Sequence, residues 1–113
     1  MNVQEAISAL GLQVIVPGDM QRDMTGGYAS DLLSCVKARA QAGNVWVTLQ
    51  AHANVVAVAS LLDLAAVILT EGVVPDDEMI GRARENQVVL LRTPQTTFTV
   101  AGCLASLGVS GEA

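Results

Sequence analysis

The sequence predicts an α/β domain whose largely parallel sheet has four or more strands and is covered by helices on both faces. Short apolar runs alternate along the chain with stretches whose apolar residues recur at helical spacing. Strands separated by helices require crossover connections, which are right-handed and generate parallel sheets. The run from Ala65 to Leu69 is apolar at every position, which is typical of a parallel strand buried on both sides.

The first half of the chain predicts two helices and two strands. Val3 to Leu10 is expected to form a short helix, because its apolar residues fall on one face. Leu12 to Val16 is rich in β-branched residues and precedes Pro17, so it predicts the first strand. Ala29 to Gln41 has helical apolar spacing and ends before a glycine. Val45 to Leu49 predicts the second strand.

The second half continues the alternation. Asn54 to Leu62 repeats apolar residues at i, i+3, i+4 and i+7, and Ala65 to Leu69 follows as the third strand. Pro75 is expected to open a helix with an acidic first turn, which suits the positive end of the helix dipole. Val88 to Leu91 predicts the fourth strand and Gln95 to Leu107 the last helix.

Length predicts one domain, and composition predicts contact with another chain. A chain of 113 residues can bury one self-sufficient core, and only residues 109–113 are expected to form a loose tail. Apolar residues reach 51% and charged residues only 15%, so part of the apolar surface is expected to meet another chain. The net charge of -5 and six scattered basic residues disfavour nucleic-acid binding.

A membrane span and a secretory signal are not expected. Val55 to Leu69 is shorter than the ~20 residues that a spanning helix needs, and Asp63 interrupts it. Met1 to Leu12 contains Glu5 and has neither a basic start nor a long apolar stretch. The chain is therefore expected to be cytoplasmic.

Cysteine and histidine spacing gives no reason to expect a metal or another cofactor. Cys35 and Cys103 lie far apart, and His52 is the single histidine. We expect both cysteines to be buried thiols, and Trp46, flanked by valines, to belong to the core. A Mg²⁺ site at Asp19 and Asp23 is a weaker alternative to a solvated turn.

Candidate ligand-binding residues occupy the loops that should follow the strands. Ligands of open parallel sheets bind beyond the carboxyl ends of the strands, so these loops are expected to converge on one rim. The candidates are Asp23, Thr25, Gly26, Gly27, His52, Arg92, Thr93, Thr96 and Thr97.

Each candidate also has a structural interpretation. Thr25, Gly26 and Gly27 are placed in a turn entering a helix near Tyr28, where backbone N–H groups would face an anion. Alternatively, the glycines adopt positive φ or let a neighbouring chain pack closely, while Thr25 caps a helix.

The remaining candidates also have both a ligand-binding and a structural interpretation. Thr93 is expected to cap the last helix with Pro94 at its first position, while the hydroxyls of Thr96 and Thr97 either bind a ligand or only shape the helix start. His52 is either a general base or, more commonly, an exposed turn residue.

Two segments carry a family resemblance. Asp23-Met24-Thr25-Gly26-Gly27 and the stretch from Thr93 to Thr99 are similar to the two recurrent motifs of the DRTGG domain family, and the resemblance extends from about Val3 to Leu107. Met24 stands where the family usually has arginine, and Thr96 where it commonly has aspartate. If those positions pair in the family, the polar link is missing here.

The resemblance implies a fold like the N-terminal domain of HPr kinase/phosphorylase and a role without catalysis. DRTGG domains also occur in long phosphotransacetylases and between the CBS domains of some pyrophosphatases, where they contribute to dimerisation and regulation. We therefore expect a non-enzymatic regulatory module that senses a small anionic or nucleotide-like ligand. The pairing of such domains, together with the apolar excess, predicts that it acts through a homodimer. The resemblance further suggests a signalling or metabolic protein partner in redox or hydrogenase-linked signalling. The alternative is a ligand-free dimerisation or scaffold module.

Overall fold

The computed structural model describes residues 1–111 and contains a five-stranded sheet with five helices. The strands are β1 (Gln13–Val16), β2 (Gly26–Ala29), β3 (Asn44–Thr48), β4 (Ala66–Leu69) and β5 (Leu90–Arg92). The helices are α1 (Val3–Leu10), α2 (Leu33–Arg39), α3 (Ala53–Leu61), α4 (Asp77–Glu85) and α5 (Thr97–Ser106).

The sheet is mixed and mostly parallel, in the order β1-β5-β4-β3-β2. Strands β2 to β5 run parallel to one another, and β1 is an antiparallel edge strand beside β5. A register shift between Val14 and Val16 interrupts the pairing of that edge strand. The predicted α/β class with a largely parallel sheet is confirmed.

Helices cover both faces of the sheet and create two cores. Val36, Met79 and Trp46 belong to the cluster that lies beneath α2, α3 and α4. Val100 and Ile68 belong to the opposite cluster, beneath α1 and α5. Successive strand residues point to opposite faces, which is why Trp46 joins the first cluster while its neighbours Val45 and Val47 join the second.

The predicted core position of Trp46 is confirmed. Its side chain is fully buried, and the indole N–H donates a 2.8 Å hydrogen bond to the carbonyl oxygen of Ser30. A buried indole normally finds such a partner, so this contact also fixes the chain directly after β2.

The predicted helix near Tyr28 is wrong. Gly26–Ala29 is strand β2, paired in parallel with β3, and the next helix begins only at Leu33. Two of the four strand residues are glycines, which have low strand propensity and give no apolar alternation. The helix-start predictions at the prolines also shift: Asp76 caps α4 after Pro75, and Thr96 caps α5 two residues after Pro94.

The expectation of a loose tail is wrong for Val109 and Ser110. Val109 packs against the cluster beneath α1 and α5, and its N–H donates to the Leu104 carbonyl at 3.0 Å. The Gly27 N–H donates to the Ser110 carbonyl at 2.9 Å, so this segment lies against the free edge of β2. The rest of that expectation falls on residues 112–113, which lie outside the described part of the chain.

Cys35 and Cys103 are free thiols that are each half-buried rather than fully buried. Among residues 1–111, no helix has both the length and the apolar character needed to cross a membrane.

Candidate functional site

Two opposite edges of the sheet hold the candidate residues. We call the loops that follow β2, β3, β4 and β5, together with the first turn of α5, the carboxyl rim; they comprise residues 30–32, 49–52, 70–74 and 93–98. We call the loops that precede the same parallel strands, at their amino ends, the amino edge; they comprise residues 17–25, 40–43, 62–65 and 86–89.

The expectation that all candidate residues converge is wrong. Five candidates lie at or next to the carboxyl rim, because they end β5 or follow β3 or β5: His52, Arg92, Thr93, Thr96 and Thr97. The remaining four lie at or near the amino edge, because β2 begins at Gly26: Asp23, Thr25, Gly26 and Gly27. Residues that precede a parallel strand cannot meet residues that follow its neighbours.

Thr25 joins the start of β2 to the loop before β3. Its hydroxyl donates to the Ala42 carbonyl at 2.8 Å and accepts from the Asn44 side-chain amide at 3.1 Å. Its N–H donates to the Gly43 carbonyl at 3.0 Å. Thr25 therefore caps no helix, and it fixes the spacing of two neighbouring strands.

The glycine pair permits close packing rather than an unusual backbone conformation. Neither Gly26 nor Gly27 has positive φ. A Cβ atom on Gly26 would lie 2.8 Å from the Ser110 carbonyl oxygen, and one on Gly27 would lie 3.2 Å from a Val109 methyl carbon. The close-packing alternative thus holds, but the segment that packs there belongs to the same chain.

Met24 and Thr96 do not pair in this chain. Met24 is half-buried against the cluster beneath α1 and α5, and its N–H donates to the Met1 carbonyl at 2.9 Å. Thr96 lies at the opposite edge, where it caps α5. Asp23 is exposed and forms an isolated bridge with Asn2.

Arg92 uses its guanidinium to brace the carboxyl rim. The Nε atom donates to the Val73 carbonyl and one terminal nitrogen to the Gly72 carbonyl, both at 2.8 Å. The other terminal nitrogen lies 3.2 Å from the Gln13 side-chain oxygen. These contacts leave Arg92 as an internal link between β5, β1 and the loop after β4, rather than a free cation.

Thr97 and Glu71 connect the start of α5 to the end of β4. The Thr97 hydroxyl lies 2.6 Å from the Thr70 hydroxyl, and its N–H donates to a Glu71 carboxylate oxygen at 2.7 Å. Glu71 has a φ of 59°, a left-handed conformation that is uncommon for residues other than glycine. Its N–H donates to the Gln95 carbonyl at 2.8 Å, which helps to hold this conformation.

Thr93 and Thr96 have structural partners as well. Thr93 is buried, and its hydroxyl accepts from both the backbone and the side-chain amide of Gln95. The Thr96 hydroxyl accepts from the Thr99 N–H at 3.2 Å and donates to the Thr99 hydroxyl at 3.0 Å. Capping, the structural interpretation, therefore applies to Thr96 and not to Thr93.

His52 caps α3 from an exposed position. Its Nδ1 atom accepts from the Asn54 N–H at 3.0 Å, which orients the ring and occupies that nitrogen. This geometry matches an exposed turn histidine.

Asp31 is a rim residue that the sequence interpretation missed. One of its carboxylate oxygens accepts from the Thr48 hydroxyl at 2.8 Å and from the Leu49 N–H at 2.9 Å. Its position just beyond a strand would identify it, but that strand is β2, whose sequence predicts a turn and the start of a helix.

Asp31 and Glu71 give the rim its chemical character. Each carboxylate has one oxygen fixed by protein donors, while the other oxygen has no hydrogen-bond partner among residues 1–111. They follow β2 and β4, which are separated only by β3, so strand spacing places their chain positions about 10 Å apart. Such a pair can accept hydrogen bonds from hydroxyl or amino groups of a ligand.

The amino edge carries the one ion pair with a marked effect on ionisation in the described chain. Arg22 donates to both carboxylate oxygens of Asp63, at 2.9 and 3.0 Å. This hydrogen bonding, reinforced by charge attraction, lowers the pKa of Asp63 and raises the pKa of Arg22. Asp19 accepts from the Gln21 N–H at 3.1 Å, as a turn residue does.

No three residues of the types His, Cys, Asp and Glu within positions 1–111 come together as a metal site. The fold and the rim thus describe a small α/β module with hydrogen-bonding groups gathered beyond its parallel strands. The family model of the DRTGG domain matches residues 1–107. This chain belongs to the DRTGG domain family.

A solved structure supports the same fold. The CBS and DRTGG domains of the regulatory region of Clostridium perfringens pyrophosphatase, complexed with the activator diadenosine tetraphosphate, are similar with a TM-score of 0.70 and 16% sequence identity. The match covers 91% of this chain and 45% of that chain, so the present chain spans less than half of that regulatory region. A search of curated protein sequences returns no match.

Proposed function

We propose that this chain is a non-catalytic regulatory module that binds a nucleotide-like ligand at the carboxyl rim and acts through a homodimer. The observation that carries the proposal is the pair of rim carboxylates, Asp31 and Glu71, each fixed through one oxygen. Fixing a side chain before the ligand arrives lowers the ordering cost of binding.

The rim favours the neutral, donor-rich part of such a ligand. Carboxylates accept hydrogen bonds from ribose hydroxyls and from amino groups of a base. Arg92 is occupied by backbone carbonyls, and Arg22 is paired with Asp63 at the amino edge. In this proposal the anionic phosphates project from the rim toward solvent, while the nucleoside supplies the contacts.

The pyrophosphatase region supports the regulatory class of function. That region contains a DRTGG domain and was crystallised with a dinucleotide activator. At 16% identity the likeness extends to the fold alone, so our assignment of the ligand to the carboxyl rim rests on the geometry of this chain. A place in redox or hydrogenase-linked signalling, a protein partner there and a cytoplasmic location stay proposals that rest on sequence.

Calorimetric titration with adenosine, ATP and diadenosine tetraphosphate tests the proposal. Glu71→Gln and Asp31→Asn keep the side-chain shape but remove the charge. Each should weaken binding of an adenosine-containing probe about tenfold, the effect of losing one hydrogen bond of ~1.4 kcal/mol. Glu85→Gln, at an exposed residue of α4, is the matched control and should bind like the wild type.

Two results would count against a ligand site at the rim. The first is that none of the three probes binds at millimolar concentration. The second is that a probe binds but neither rim variant weakens it.

A ligand-free scaffold is the second candidate, and one observation favours it. Exposed apolar side chains project from all four segments of the rim, namely Leu32, Leu49, Val74 and Phe98. Clustered exposed apolar residues mark protein interfaces. Under this alternative, Leu49→Asp should weaken self-association or partner binding, and no nucleotide should stabilise the protein.

A further inference from the structure

A long segment at the end of the chain carries no charge. Residues 93–111 contain no Lys, Arg, Asp, Glu or His, although the chain as a whole has a net charge of -5. Helix α5 lies entirely within this segment. An exposed helix normally carries charged residues on its solvent face, so the uncharged outer face of α5 requires an explanation.

The outer face of α5 combines one large residue with a flat region. Val100 and Leu104 are buried against the sheet. On the opposite side Phe98 is 87% exposed, and Gly102 and Ala105 are exposed along the same face. A Cβ atom added at Gly102 would have nothing within 4 Å, so this part of the surface is open.

We infer that two copies of the chain meet through this face, with their α5 helices antiparallel across a two-fold axis. The midpoint between Phe98 and Ala105 lies next to Gly102. An antiparallel pair centred there places Phe98 of each copy over the partner's Ala105. Glycine at the crossing point lets the two helix backbones approach closely.

Self-complementarity favours a second copy as the occupant. A two-fold interface requires one surface patch to be complementary to itself. Phe98 projects from α5, and the small residues Gly102 and Ala105 lie one and two turns further along, so the patch meets that requirement. Charge favours the same choice, because two copies with a net charge of -5 each repel one another least where neither carries charge.

A stable dimer sets the area that this face must supply. A specific interface buries at least about 1,000 Å² in total, or about 500 Å² per copy. This is about a tenth of the 5622 Å² surface of one copy. Helix α1 lies beside α5 in the same layer, and its exposed residues can extend the contact beyond the uncharged α5, although Glu5 in its first turn is charged.

Disulfide trapping tests this geometry, which rests on the proposed homodimer. Gly102→Cys is introduced into a background in which Cys35 and Cys103 are replaced by serine. Mild oxidation should trap most of the protein as a covalent dimer, because position 102 lies next to the two-fold axis. Leu61→Cys is the matched control: Leu61 is 74% exposed on α3, in the opposite helix layer, and should give little covalent dimer.

Phe98→Lys is the second variant, and it requires no background substitutions. It places two cations in the contact and should raise the dimer dissociation constant at least tenfold in light scattering over a dilution series. Burial of Trp46 gives a fluorescence check that each variant is folded.

The outcomes distinguish the α5 interface from the proposed homodimer on which it rests. A wild-type dimer that forms no Gly102→Cys disulfide and is unaffected by Phe98→Lys would overturn the α5 interface and leave the homodimer in place. A wild-type monomer at tens of micromolar would overturn both. Nucleotide titration of the wild type and of the Asp31 and Glu71 variants reports on the rim carboxylates, and it does not vary Phe98, which the rim shares with the α5 face.

Discussion

Replacing Gly26 with alanine should destabilise the protein, although its backbone conformation is open to any residue. The added methyl would lie 2.8 Å from the Ser110 carbonyl oxygen and 3.1 Å from the Asn44 side-chain nitrogen. Neither neighbour is free to move, because Ser110 accepts from the Gly27 N–H and Asn44 donates to the Thr25 hydroxyl. We expect the 109–111 segment to detach from β2.

The expected loss follows from the contacts of that segment. The Gly27 to Ser110 hydrogen bond contributes about 1 kcal/mol, and partial burial of Val109 contributes about 1 kcal/mol more. Alanine restricts the unfolded chain and returns about 0.5–1 kcal/mol. The net destabilisation is therefore about 1–1.5 kcal/mol, which corresponds to a fall of about 5 °C in the melting temperature of a chain of this size.

Urea unfolding followed by Trp46 fluorescence measures this change, since Trp46 is the single tryptophan and is fully buried. Gly81→Ala is the matched control: a Cβ there has nothing within 4 Å, and α4 is expected to gain up to about 1 kcal/mol from the better helix former. If Gly26→Ala lowers the free energy of unfolding and Gly81→Ala raises it, steric contact at position 26, and not the loss of a glycine, determines the result.

A double-mutant cycle identifies the contact responsible. In a chain that ends at Gly108, Gly26→Ala should cost less than about 0.5 kcal/mol, because the obstructing carbonyl is gone. An equal cost in the full and shortened chains would refute the reasoning and assign the effect to Asn44 or to β2 itself. A Gly26→Ala variant of the unshortened chain that is as stable as the wild type would also refute the reasoning.

Two further predictions concern polar contacts at opposite edges of the sheet. Thr97→Val removes the hydroxyl partner of Thr70, which is fully buried, and should lower the free energy of unfolding by about 1–3 kcal/mol. Thr97→Ser keeps the hydroxyl and should retain most of the stability in the same urea assay. Equal losses for serine and valine would contradict this assignment. Asp63→Asn should lower the melting temperature at pH 7, because the Arg22 hydrogen bonds hold the pKa of Asp63 below its unfolded value. That stabilisation is present above the unfolded pKa of about 3.9 and is lost as pH falls through the folded pKa. The melting temperatures of Asp63→Asn and the wild type should therefore converge as pH falls below the folded pKa of Asp63, and a difference independent of pH would contradict the charge argument. Asparagine tolerates the φ of 56° at this position.

The fold class could be predicted from sequence because the apolar strands and amphipathic helices carry strong local patterns. β4 is apolar throughout, and α1 shows a clear one-sided stripe. β2 has no such pattern, since Gly26 and Gly27 leave only Tyr28 and Ala29 to indicate a strand. Its pairing with β3 is a long-range effect that local propensity does not encode.

The missed strand explains the errors at the site. Because the sequence of Gly26–Ala29 predicts a turn and a helix, it also predicts that the segment from Asp23 to Gly27 lies at the carboxyl rim, and it gives no reason to expect Asp31 there. Thr96 and Thr97 do lie at the carboxyl rim as the sequence predicts, because they follow the apolar strand β5 and stand at the start of α5. The contact of Ser110 with Gly27 joins residues far apart in sequence through backbone atoms, so no side-chain pattern reveals it.

Methionine at position 24 has a limited chemical consequence in this fold. Met24 lies at the amino edge and packs against the cluster beneath α1 and α5, so an arginine there would start from the edge opposite the carboxyl rim. Its absence therefore removes no cation from the rim. In the proposed function, recognition at the rim depends instead on the free oxygens of Asp31 and Glu71, which would accept hydrogen bonds from a ligand and repel its phosphates. This distribution of charge is why we expect a ligand to be held by its hydroxyl and amino groups rather than by its phosphates.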